Sequence, residues 1–368
     1  MGKLRIIDDV ESFAGKRVVL RVDSDVDLDE NLPAGRQVVD DTRLAAALPT
    51  LQNLLEKGGF VTIIGHLGRP VVATNDEERI KNKELSLKPI AEWFASKISG
   101  NAEPTKIDSF DGFKITDKVS LVENIRFFPE EEKNDPEFAK KLAALGDVFV
   151  NDAFAVCHRE HASIVGIATL LPSYAGLHLQ KEIEVLSKII TDPLRPLAVL
   201  IGGAKIETKL PMVEKMHKVA DYVLVGGEIA AQDKVLIEVQ HEKIEGKKSA
   251  VLVADLTSDG LDISPKSTEN MNQVLGLAAT IVWNGPVGMI RKKEERIMNN
   301  EDTERGTREI AEFIVSQSAY KVIGGGDTLS YLRELGLLDK FDFVSTGGGA
   351  MLEFLSGKEL PGIAVLRE

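Results

Sequence analysis

The chain has 368 residues, of which 43% are hydrophobic and 28% are charged, and it carries a formal net charge of −13. This length predicts two domains, and an acidic chain without a long run of Lys or Arg is not expected to bind nucleic acid. No stretch approaches the ~18 apolar residues of a membrane span, no signal peptide is evident and there is a single cysteine, so the sequence predicts a cytoplasmic protein without a membrane partner.

Short runs of β-branched and aliphatic residues alternate with amphipathic stretches along the chain. Several of these runs are apolar at consecutive positions, which is typical of parallel strands buried on both faces. The candidate strands are 17–22, 60–64, 119–122, 148–150, 197–201, 222–225, 251–253, 280–283, 321–323 and 343–345. Strands that alternate with helices in this way predict βαβ units and doubly wound sheets.

Four helices have readable sequence signals. One apolar face repeats between residues 44 and 55, Ser86 can cap a second helix, and Asp135 with Pro136 supplies an N-cap and a first-turn proline for a third. The fourth, 174–190, lies where a connector between two domains is expected. The run of three glutamates at 130–132 is interpreted as solvated surface.

Arginine and histidine residues follow the strands of the first half of the chain. These strand ends read Arg21-Val22-Asp23, Gly65-His66-Leu67-Gly68-Arg69, Glu123-Asn124-Ile125-Arg126, and Asn151-Asp152 leading to His158-Arg159. In an open parallel sheet, ligands bind beyond the carboxyl ends of the strands. The pattern therefore predicts a basic cup for a small anion in the first half.

Glycines follow the strands of the second half instead. These ends read Gly202-Gly203-Ala204-Lys205, Gly226-Gly227, Asn284-Gly285-Pro286, Gly324-Gly325-Gly326-Asp327 and Gly347-Gly348-Gly349. Glycine lets a phosphate approach backbone N–H groups at helix N-termini, so the second half is expected to bind a nucleotide. Neither the P-loop pattern nor the G-x-G-x-x-G pattern is present, which disfavours a P-loop ATPase and a standard Rossmann dehydrogenase.

Six sequence blocks resemble the phosphoglycerate kinase family, in the order that the family has them. They are Gly65-His66-Leu67-Gly68-Arg69-Pro70, Glu123-Asn124-Ile125-Arg126-Phe127, Asn151-Asp152-Ala153-Phe154, Trp283-Asn284-Gly285-Pro286, Gly324-Gly325-Gly326-Asp327 and Ser345-Thr346-Gly347-Gly348-Gly349-Ala350. The resemblance extends over essentially the whole chain. It implies reversible phosphoryl transfer between 1,3-bisphosphoglycerate and Mg-ADP, which gives 3-phosphoglycerate and Mg-ATP.

The resemblance also implies an α/β fold of two Rossmann-like, doubly wound parallel-sheet lobes joined by a helical hinge. The expected N-terminal lobe, 1–172, binds the acid and is completed by the tail 356–368. An interdomain helix at 173–190 leads to a nucleotide-binding C-terminal lobe at 191–355, and hinge closure would bring donor and acceptor together. A monomer is expected, since no exposed apolar helix face indicates an interface.

By motif match, the resemblance assigns the acid site to Asp23, Ser24, Asp25, Arg43, His66, Leu67, Gly68, Arg69, Arg126 and Arg159. The catalytic residues would be Arg43, Lys205, Gly347 and Gly348, which offer positive charge and backbone N–H groups. In the transition state of phosphoryl transfer, negative charge is spread over the transferring group. The protein therefore mainly positions the reactants and neutralises this charge. The acceptor is already an acid anion, and no catalytic base is required.

For the nucleotide, the resemblance assigns Gly203, Ala204, Lys209, Asn284, Gly324, Gly325, Gly326, Asp327 and Thr328. Asp327 would hold Mg²⁺, the implied cofactor, with ATP or ADP as co-substrate. The expected partners are therefore small molecules only.

The chain departs from the family pattern at several positions, and three of them bear most directly on the ligands. Asp25 replaces an asparagine and adds negative charge beside an anion, and Glu228 stands where a third glycine is usual. Arg291 replaces a glutamate that accepts from the ribose hydroxyls, and arginine cannot accept a hydrogen bond. Glu294 or Glu295 could substitute. Asp25 and Arg291 leave open a catalytically weakened homologue that serves as a ligand-binding or scaffolding protein. A different small-acid kinase on a related two-lobed fold is a further alternative, against which the blocks 66–69 and 283–286 argue.

Overall fold

The computed structural model describes residues 2–29, 36–71, 82–204, 206–230, 249–291 and 302–368. The chain divides into two compact units, residues 1–183 with 359–368 and residues 184–358. Within the described residues, no helix combines the length and the apolar character that a membrane crossing needs.

The strands are β1 (Arg17–Arg21), β2 (Leu28–Asp29), β3 (Gln37–Val38), β4 (Phe60–Ile64), β5 (Glu103–Ile107), β6 (Phe110–Lys114), β7 (Val119–Val122), β8 (Val148–Asn151), β9 (Ser173–Ala175), β10 (Leu197–Ile201), β11 (Tyr222–Val225), β12 (Ala250–Val253), β13 (Thr280–Asn284), β14 (Tyr320–Gly324) and β15 (Phe343–Val344). The α-helices are α1 (Thr42–Glu56), α2 (Lys88–Lys97), α3 (Pro136–Ala143), α4 (Leu177–Thr191), α5 (Ile206–Val219), α6 (Pro265–Leu275), α7 (Arg305–Ser316), α8 (Gly326–Glu334), α9 (Gly348–Leu355) and α10 (Pro361–Ala364).

Each unit is built on one sheet. The first sheet has the order β5-β6-β7-β4-β1-β8-β9, and its parallel part, β7-β4-β1-β8-β9, is a 3-2-1-4-5 arrangement in chain order. The second sheet, β12-β11-β10-β13-β14-β15, is parallel throughout and has the 3-2-1-4-5-6 order of a doubly wound fold. The predicted α/β class with two parallel sheets is confirmed.

The central strands are buried on both faces, as their continuous apolar runs indicated. In β1, Val18 and Leu20 pack in the cluster that contains Leu51 of α1 and Phe94 of α2, whereas Val19 faces the cluster around Phe138 of α3. This alternation lets one strand hold two helical layers.

All ten candidate strands are present with small differences at their ends, but the sequence missed β2, β3, β5, β6 and β9. Two helix starts differ as well. Tyr174 lies in β9, so the helix predicted for 174–190 begins at Leu177, because the backbone of 173–175 pairs with β8 instead. The second helix begins at Lys88, and its N-cap residue is Leu87 rather than Ser86. Ser86 Oγ accepts from the Lys88 amide at 3.3 Å and donates to Glu123 Oε2 at 2.6 Å. Asp135 caps α3 as predicted.

Asp152, which follows β8, holds the first turn of α4. Its Oδ1 accepts from the amide of Leu179 at 3.0 Å, while Thr50 Oγ1 accepts from the amide of Leu177 at 2.9 Å. Burial raises the pKa of Asp152 to about 7, although the hydrogen bonds from Thr50, Leu179 and His178 act to lower this pKa. A carboxyl whose folded pKa is raised stabilises the fold below its unfolded pKa, and this contribution is lost as the pH rises through about 7.

Replacing Asp152 by Asn is therefore expected to flatten the pH dependence of stability. The amide oxygen can keep the Leu179 bond, but the side chain at position 152 can no longer ionise. The decrease of up to about 4 kcal/mol in the free energy of unfolding that Asp152 causes between pH 4 and 8 should therefore be absent. Urea unfolding across this range measures the slope, with Asp147→Asn as the control, because the pKa of the exposed Asp147 is lowered rather than raised. Equal slopes in wild type and Asp152→Asn would show that Asp152 does not titrate there.

Candidate active site

A set of cationic and imidazole side chains lies beyond the carboxyl ends of β1, β4, β7 and β8. We call this set the basic cluster: Arg43, His66, Arg126 and Arg159. Burial lowers the pKa of His66, and the charges of two other members, Arg126 and Arg159, lower it as well, which indicates that these side chains lie near one another. The first sheet changes its strand order between β1 and β8, which is where ligands bind in open α/β sheets.

Asp25 and Gly68 link the members of the basic cluster. Asp25 Oδ1 accepts from the amide of Gly68 at 2.8 Å, and the carbonyl of Gly68 accepts from Arg126 Nη1 at 2.9 Å. Gly68 has a φ of +61°, and an added Cβ would lie 2.7 Å from a methyl of Leu85. A side chain at this position would be strained, which explains the glycine.

Arg43, on the first turn of α1, is tied to the segment after β1. Its Nη1 lies 3.3 Å from Asp23 Oδ2 and donates to the carbonyl of Asp25 at 2.8 Å. Burial raises the pKa of Asp23, whereas the Arg43 charge lowers it. Among the described residues, all the hydrogen bonds of the Arg43 side chain come from Nη1, so Nε and Nη2 can donate to a ligand.

Arg126 lies in a short 3-10 helix, Ile125–Phe127, and is positioned by the asparagine that precedes this helix. Asn124 Oδ1 accepts from the Arg126 amide at 3.1 Å, and Asn124 Nδ2 donates to the carbonyl of Leu67 at 2.8 Å. The segment after β7 is thereby bonded to the segment after β4. Arg159 Nε lies 3.3 Å from His158 Nε2, and Arg69 is exposed.

His66 is buried, and its two ring nitrogens face different residues. Its Nδ1 lies 2.9 Å from Arg21 Nη2, and its Nε2 lies 3.9 Å from Asp25 Oδ2. Burial, with the charges of Arg21, Arg126 and Arg159, lowers the pKa of His66 well below its ordinary value. Ser24 Oγ donates to the His66 carbonyl at 2.8 Å, which fixes the backbone of the same residue.

The second unit carries a cleft of about 390 Å³ beside the strand-order change between β10 and β13. The lining residues are Gly203, Ala204, Gly227, Glu228, Leu256, Gly260, Leu261, Asp262, Pro286, Val287, Gly288, Met289, Ile290 and Asp327. Glycines, aliphatic side chains and two exposed carboxylates share this cleft, and a mixed lining of this kind can hold both an apolar ring and a polar group.

The glycine turns around this cleft have backbone conformations or close contacts that require glycine. Gly203 has a φ of +97° and Gly325 a φ of +101°. At Gly285, with a φ of +93°, an added Cβ would meet the backbone of Gly202 and lie 3.0 Å from Lys209 Nζ. The turns after β10 and β13 can therefore approach each other only without side chains.

Lys209 and Asn284 form the polar centre of these turns. Lys209 Nζ donates to Asn284 Oδ1, and it lies 3.4 Å from the Asn284 carbonyl. Burial lowers the pKa of Lys209 to about 8, whereas the charge of Asp327 raises it. Asn284 Nδ2 lies 3.5 Å from the sulfur of Met351, so the amide is fixed on both sides.

Two helix N-termini follow the glycine turns of β14 and β15. Gly324 ends β14, Gly325 precedes α8, and added Cβ atoms at Gly326 and Gly348 would meet nothing within 4 Å. Thr328, in the first turn of α8, is fully buried. Gly347 precedes α9, and its amide donates to Ser345 Oγ at 3.3 Å. Backbone N–H groups at such ends suit anions.

Some predicted site residues lie outside the described residues, namely Lys205, Glu294 and Glu295. At Arg291, the backbone amide donates to Glu304 Oε1 at 2.9 Å. Glu304 is a buried carboxylate that sequence reasoning missed, because it lies 13 positions further along the chain.

Sequence reasoning also missed a buried group beneath the basic cluster, formed by Arg21, Glu131 and Ser163. The interpretation of the glutamate run as solvated surface is wrong for Glu131, which is 1% exposed while Glu130 and Glu132 are exposed. Glu131 turns inward because the hydroxyl and amide of Ser163 bond to its two carboxylate oxygens. The only sequence signal was Arg21, a charge at the end of an apolar strand.

The chain has two α/β units that are built on parallel sheets. One unit carries the basic cluster, and the other carries glycine turns around a cleft. This combination is typical of two-lobed α/β kinases. A family model described as Phosphoglycerate kinase matches residues 7–248 and 229–358. The chain belongs to the phosphoglycerate kinase family.

Relatives and solved structures agree with this assignment over full length. The chain is 38% identical to a phosphoglycerate kinase of Herpetosiphon aurantiacus, covering 97% of this chain and 98% of the relative. It is 37% identical to one of Dictyoglomus turgidum, with both chains covered completely. The solved structure of phosphoglycerate kinase from Coxiella burnetii is similar with a TM-score of 0.79 and 31% identity, covering 99% of each chain.

Proposed function

We propose that the protein catalyses reversible phosphoryl transfer between 1,3-bisphosphoglycerate and Mg-ADP. The bond between the phosphorus and the carboxyl oxygen of the acid breaks, and a bond to the terminal oxygen of ADP forms. The products are 3-phosphoglycerate and Mg-ATP, and no proton is transferred. The observation that carries the proposal is the basic cluster, which gathers anion-binding side chains from four strand ends beside a strand-order change.

The acid is proposed to bind the basic cluster with Asp23, Ser24, Leu67, Gly68 and Arg69. Arginine forks can hold a carboxylate or a phosphate with two parallel hydrogen bonds, which fixes orientation as well as charge. The Nε and Nη2 donors of Arg43 are proposed to stabilise the charge that spreads over the moving phosphoryl group. His66, kept neutral by its surroundings, contributes a hydrogen bond and no charge.

The nucleotide is proposed to bind the cleft of the second unit. Its phosphates would meet the turn 324–326, with Thr328, and the turn of Gly203 and Ala204, with Lys209 and Asn284 supplying a cation and an amide. The aliphatic residues Leu256, Leu261, Val287 and Ile290 line the same cleft and suit a purine ring. Gly347 and Gly348 would offer N–H groups to the transferring group, and the role of Lys205 stays a prediction.

Asp327 fits the role of a magnesium ligand. Among the described residues, no three His, Cys, Asp or Glu side chains are grouped as a complete metal site. Mg²⁺ needs no such group, because it commonly binds one or two carboxylates together with nucleotide phosphates, and Asp327 is an exposed carboxylate at the cleft. When bound, Mg²⁺ neutralises phosphate charge. A cytoplasmic location, a monomeric state and the assignment of ligands to the two units remain proposals from the sequence.

A turnover assay with a panel of acids tests the proposed function. Mg-ATP is supplied with 3-phosphoglycerate, 2-phosphoglycerate, glycerate or acetate, and ADP formation is followed. We expect turnover with 3-phosphoglycerate and little with the other acids. Turnover with acetate alone would identify a different small-acid kinase, and binding of both ligands without turnover would identify a catalytically inactive homologue.

Asp25→Asn is expected to tighten 3-phosphoglycerate binding by about fivefold. The carboxylate places a negative charge beside an anion, and a unit charge at about 4 Å in water contributes about 1 kcal/mol. Asparagine keeps the Oδ1 acceptor for the Gly68 amide, so the local structure is retained. Calorimetric titration measures the change, with Asp117→Asn as the control, because Asp117 is an exposed carboxylate in a surface ion pair with Lys114. An unchanged or weaker affinity would mean that the Asp25 charge stabilises the cluster more than it repels the acid.

A further inference from the structure

A chain of hydrogen bonds runs beneath the basic cluster from Glu131 to His66. Ser163 Oγ donates to Glu131 Oε1 at 2.5 Å, and the Ser163 amide donates to Glu131 Oε2 at 3.0 Å. Arg21 Nε then donates to Ser163 Oγ at 3.0 Å, and Arg21 Nη2 lies 2.9 Å from His66 Nδ1. All four residues are at most 2% exposed.

The direction of each bond in this chain follows from its donors. A guanidinium has only N–H donors, so Arg21 must donate to both Ser163 Oγ and His66 Nδ1. Ser163 has one hydroxyl proton, and because its oxygen accepts from Arg21, that proton is directed to Glu131. Both Glu131 oxygens accept, which is the pattern of an ionised carboxylate.

The ring proton of His66 is thereby assigned. With Nδ1 accepting, a neutral imidazole must carry its proton on Nε2. Nε2 is the ring atom on the side of Asp25, whose Oδ2 lies 3.9 Å away, whereas Nδ1 is the ring atom on the side of Arg21. Burial, the charges of Arg21, Arg126 and Arg159, and His161 all lower the pKa of His66, and therefore oppose a second proton.

Glu131 and Arg21 balance each other through Ser163. No direct ion pair of 4 Å or less joins them among the described residues. Burial raises the pKa of Glu131 and lowers that of Arg21, and the charge of each residue opposes the shift of the other. A buried guanidinium with its remaining Nη1 bonded to the Val22 carbonyl has little freedom to turn. The network therefore holds Arg21 in one orientation.

We propose that Glu131 is a positioning residue, which through Ser163 and Arg21 fixes His66 as the neutral tautomer that presents its Nε2–H to the anionic ligand of the basic cluster. The inference rests on the proposed function for the identity of that ligand, 3-phosphoglycerate, but the tautomer is a property of the protein alone. Glu131 itself does not touch the ligand.

Two substitutions test the kinetic consequence. Ser163→Ala removes the bridging hydroxyl and keeps both charges, and it is expected to raise the KM for 3-phosphoglycerate about tenfold, the effect of one charge-assisted hydrogen bond, with the KM for ATP unchanged. Ser163→Thr keeps a hydroxyl and should recover most of the affinity. Glu131→Gln should also raise the KM for 3-phosphoglycerate, although the removal of a negative charge near an anion would by itself lower this KM. The matched control is Glu130→Gln, since Glu130 is an exposed neighbour.

The nitrogen resonances of ¹⁵N-histidine-labelled protein give the direct test, without any activity. In the wild type at pH 7, His66, assigned through His66→Gln, should show a protonated Nε2 and an unprotonated Nδ1, and Ser163→Ala should show a mixture of tautomers. A wild-type Nδ1–H form or a charged ring would overturn the inference, as would variants that keep both the tautomer and the KM. An inactive wild type with the expected tautomer would contradict the proposed function only.

Discussion

Arg43→Ala is expected to lower turnover by about 100- to 1,000-fold while the affinity for ADP stays within about twofold. Removing one preordered donor to a transition-state oxygen costs about this much in other enzymes. Arg43 belongs to the first unit, whereas the proposed nucleotide residues belong to the second. Loss of Nε and Nη2 should therefore affect the acid and the moving phosphoryl group, and leave nucleotide binding unchanged.

Steady-state kinetics and ADP calorimetry on the same preparation measure the two effects. Arg17→Ala is a matched control, because Arg17 lies at the opposite end of β1 in an exposed ion pair with Asp147. Arg43→Lys should recover only part of the turnover, since an ammonium lacks the fork of the guanidinium. If ADP affinity falls together with turnover in Arg43→Ala, the assignment of the two ligands to separate units is wrong.

Lys209→Met is expected to weaken ADP binding by about tenfold or more at pH 7, the loss of a hydrogen bond to a charged group. The wild-type protein should also lose ADP affinity as the pH rises above 8. The pKa of Lys209 is about 8, so its ammonium is charged below that pH and neutral above it, and phosphates attract only the charged form. Bound phosphates should raise this pKa.

ADP titrations between pH 6.5 and 9.5 measure this dependence. Lys209→Met should bind weakly and with a flatter pH profile, and Lys218→Met, an exposed lysine on the same helix α5, should behave as the wild type. Equal pH profiles in the wild type and Lys209→Met would show that Lys209 does not contribute its charge to the nucleotide.

The central architecture could be predicted from the sequence because the inner strands are continuous apolar runs. The elements that were missed lack this pattern. β5 contains Pro104 and is largely exposed, β6 carries a glycine, and these two strands pair antiparallel at the edge of the sheet. Edge strands depend on a neighbour rather than on their own burial, so composition alone does not reveal them.

The residue types at the strand ends could also be read from the sequence, but the buried residues that position them could not. Arginines and glycines after strands indicate what a site can bind, whereas the partner of a buried charge comes from a distant segment. Glu131 is one of three consecutive glutamates, and only its contact with Ser163, 32 positions away, distinguishes it from the exposed Glu130 and Glu132. A local partner for Asp25 was open from the sequence, but its identity, the amide of Gly68, could not be predicted for the same reason.

Trapping the acyl phosphate with hydroxylamine tests the central claim, direct transfer between a nucleotide and a carboxylate, most directly. The protein is incubated with Mg-ATP, 3-phosphoglycerate and hydroxylamine, which converts an acyl phosphate to a hydroxamate, and hydroxamate and ADP are measured together. We predict equal amounts of the two products, formed only when both ligands are present. ADP without hydroxamate, with inorganic phosphate as the other product, would mean that the phosphoryl group goes to water and would contradict the account.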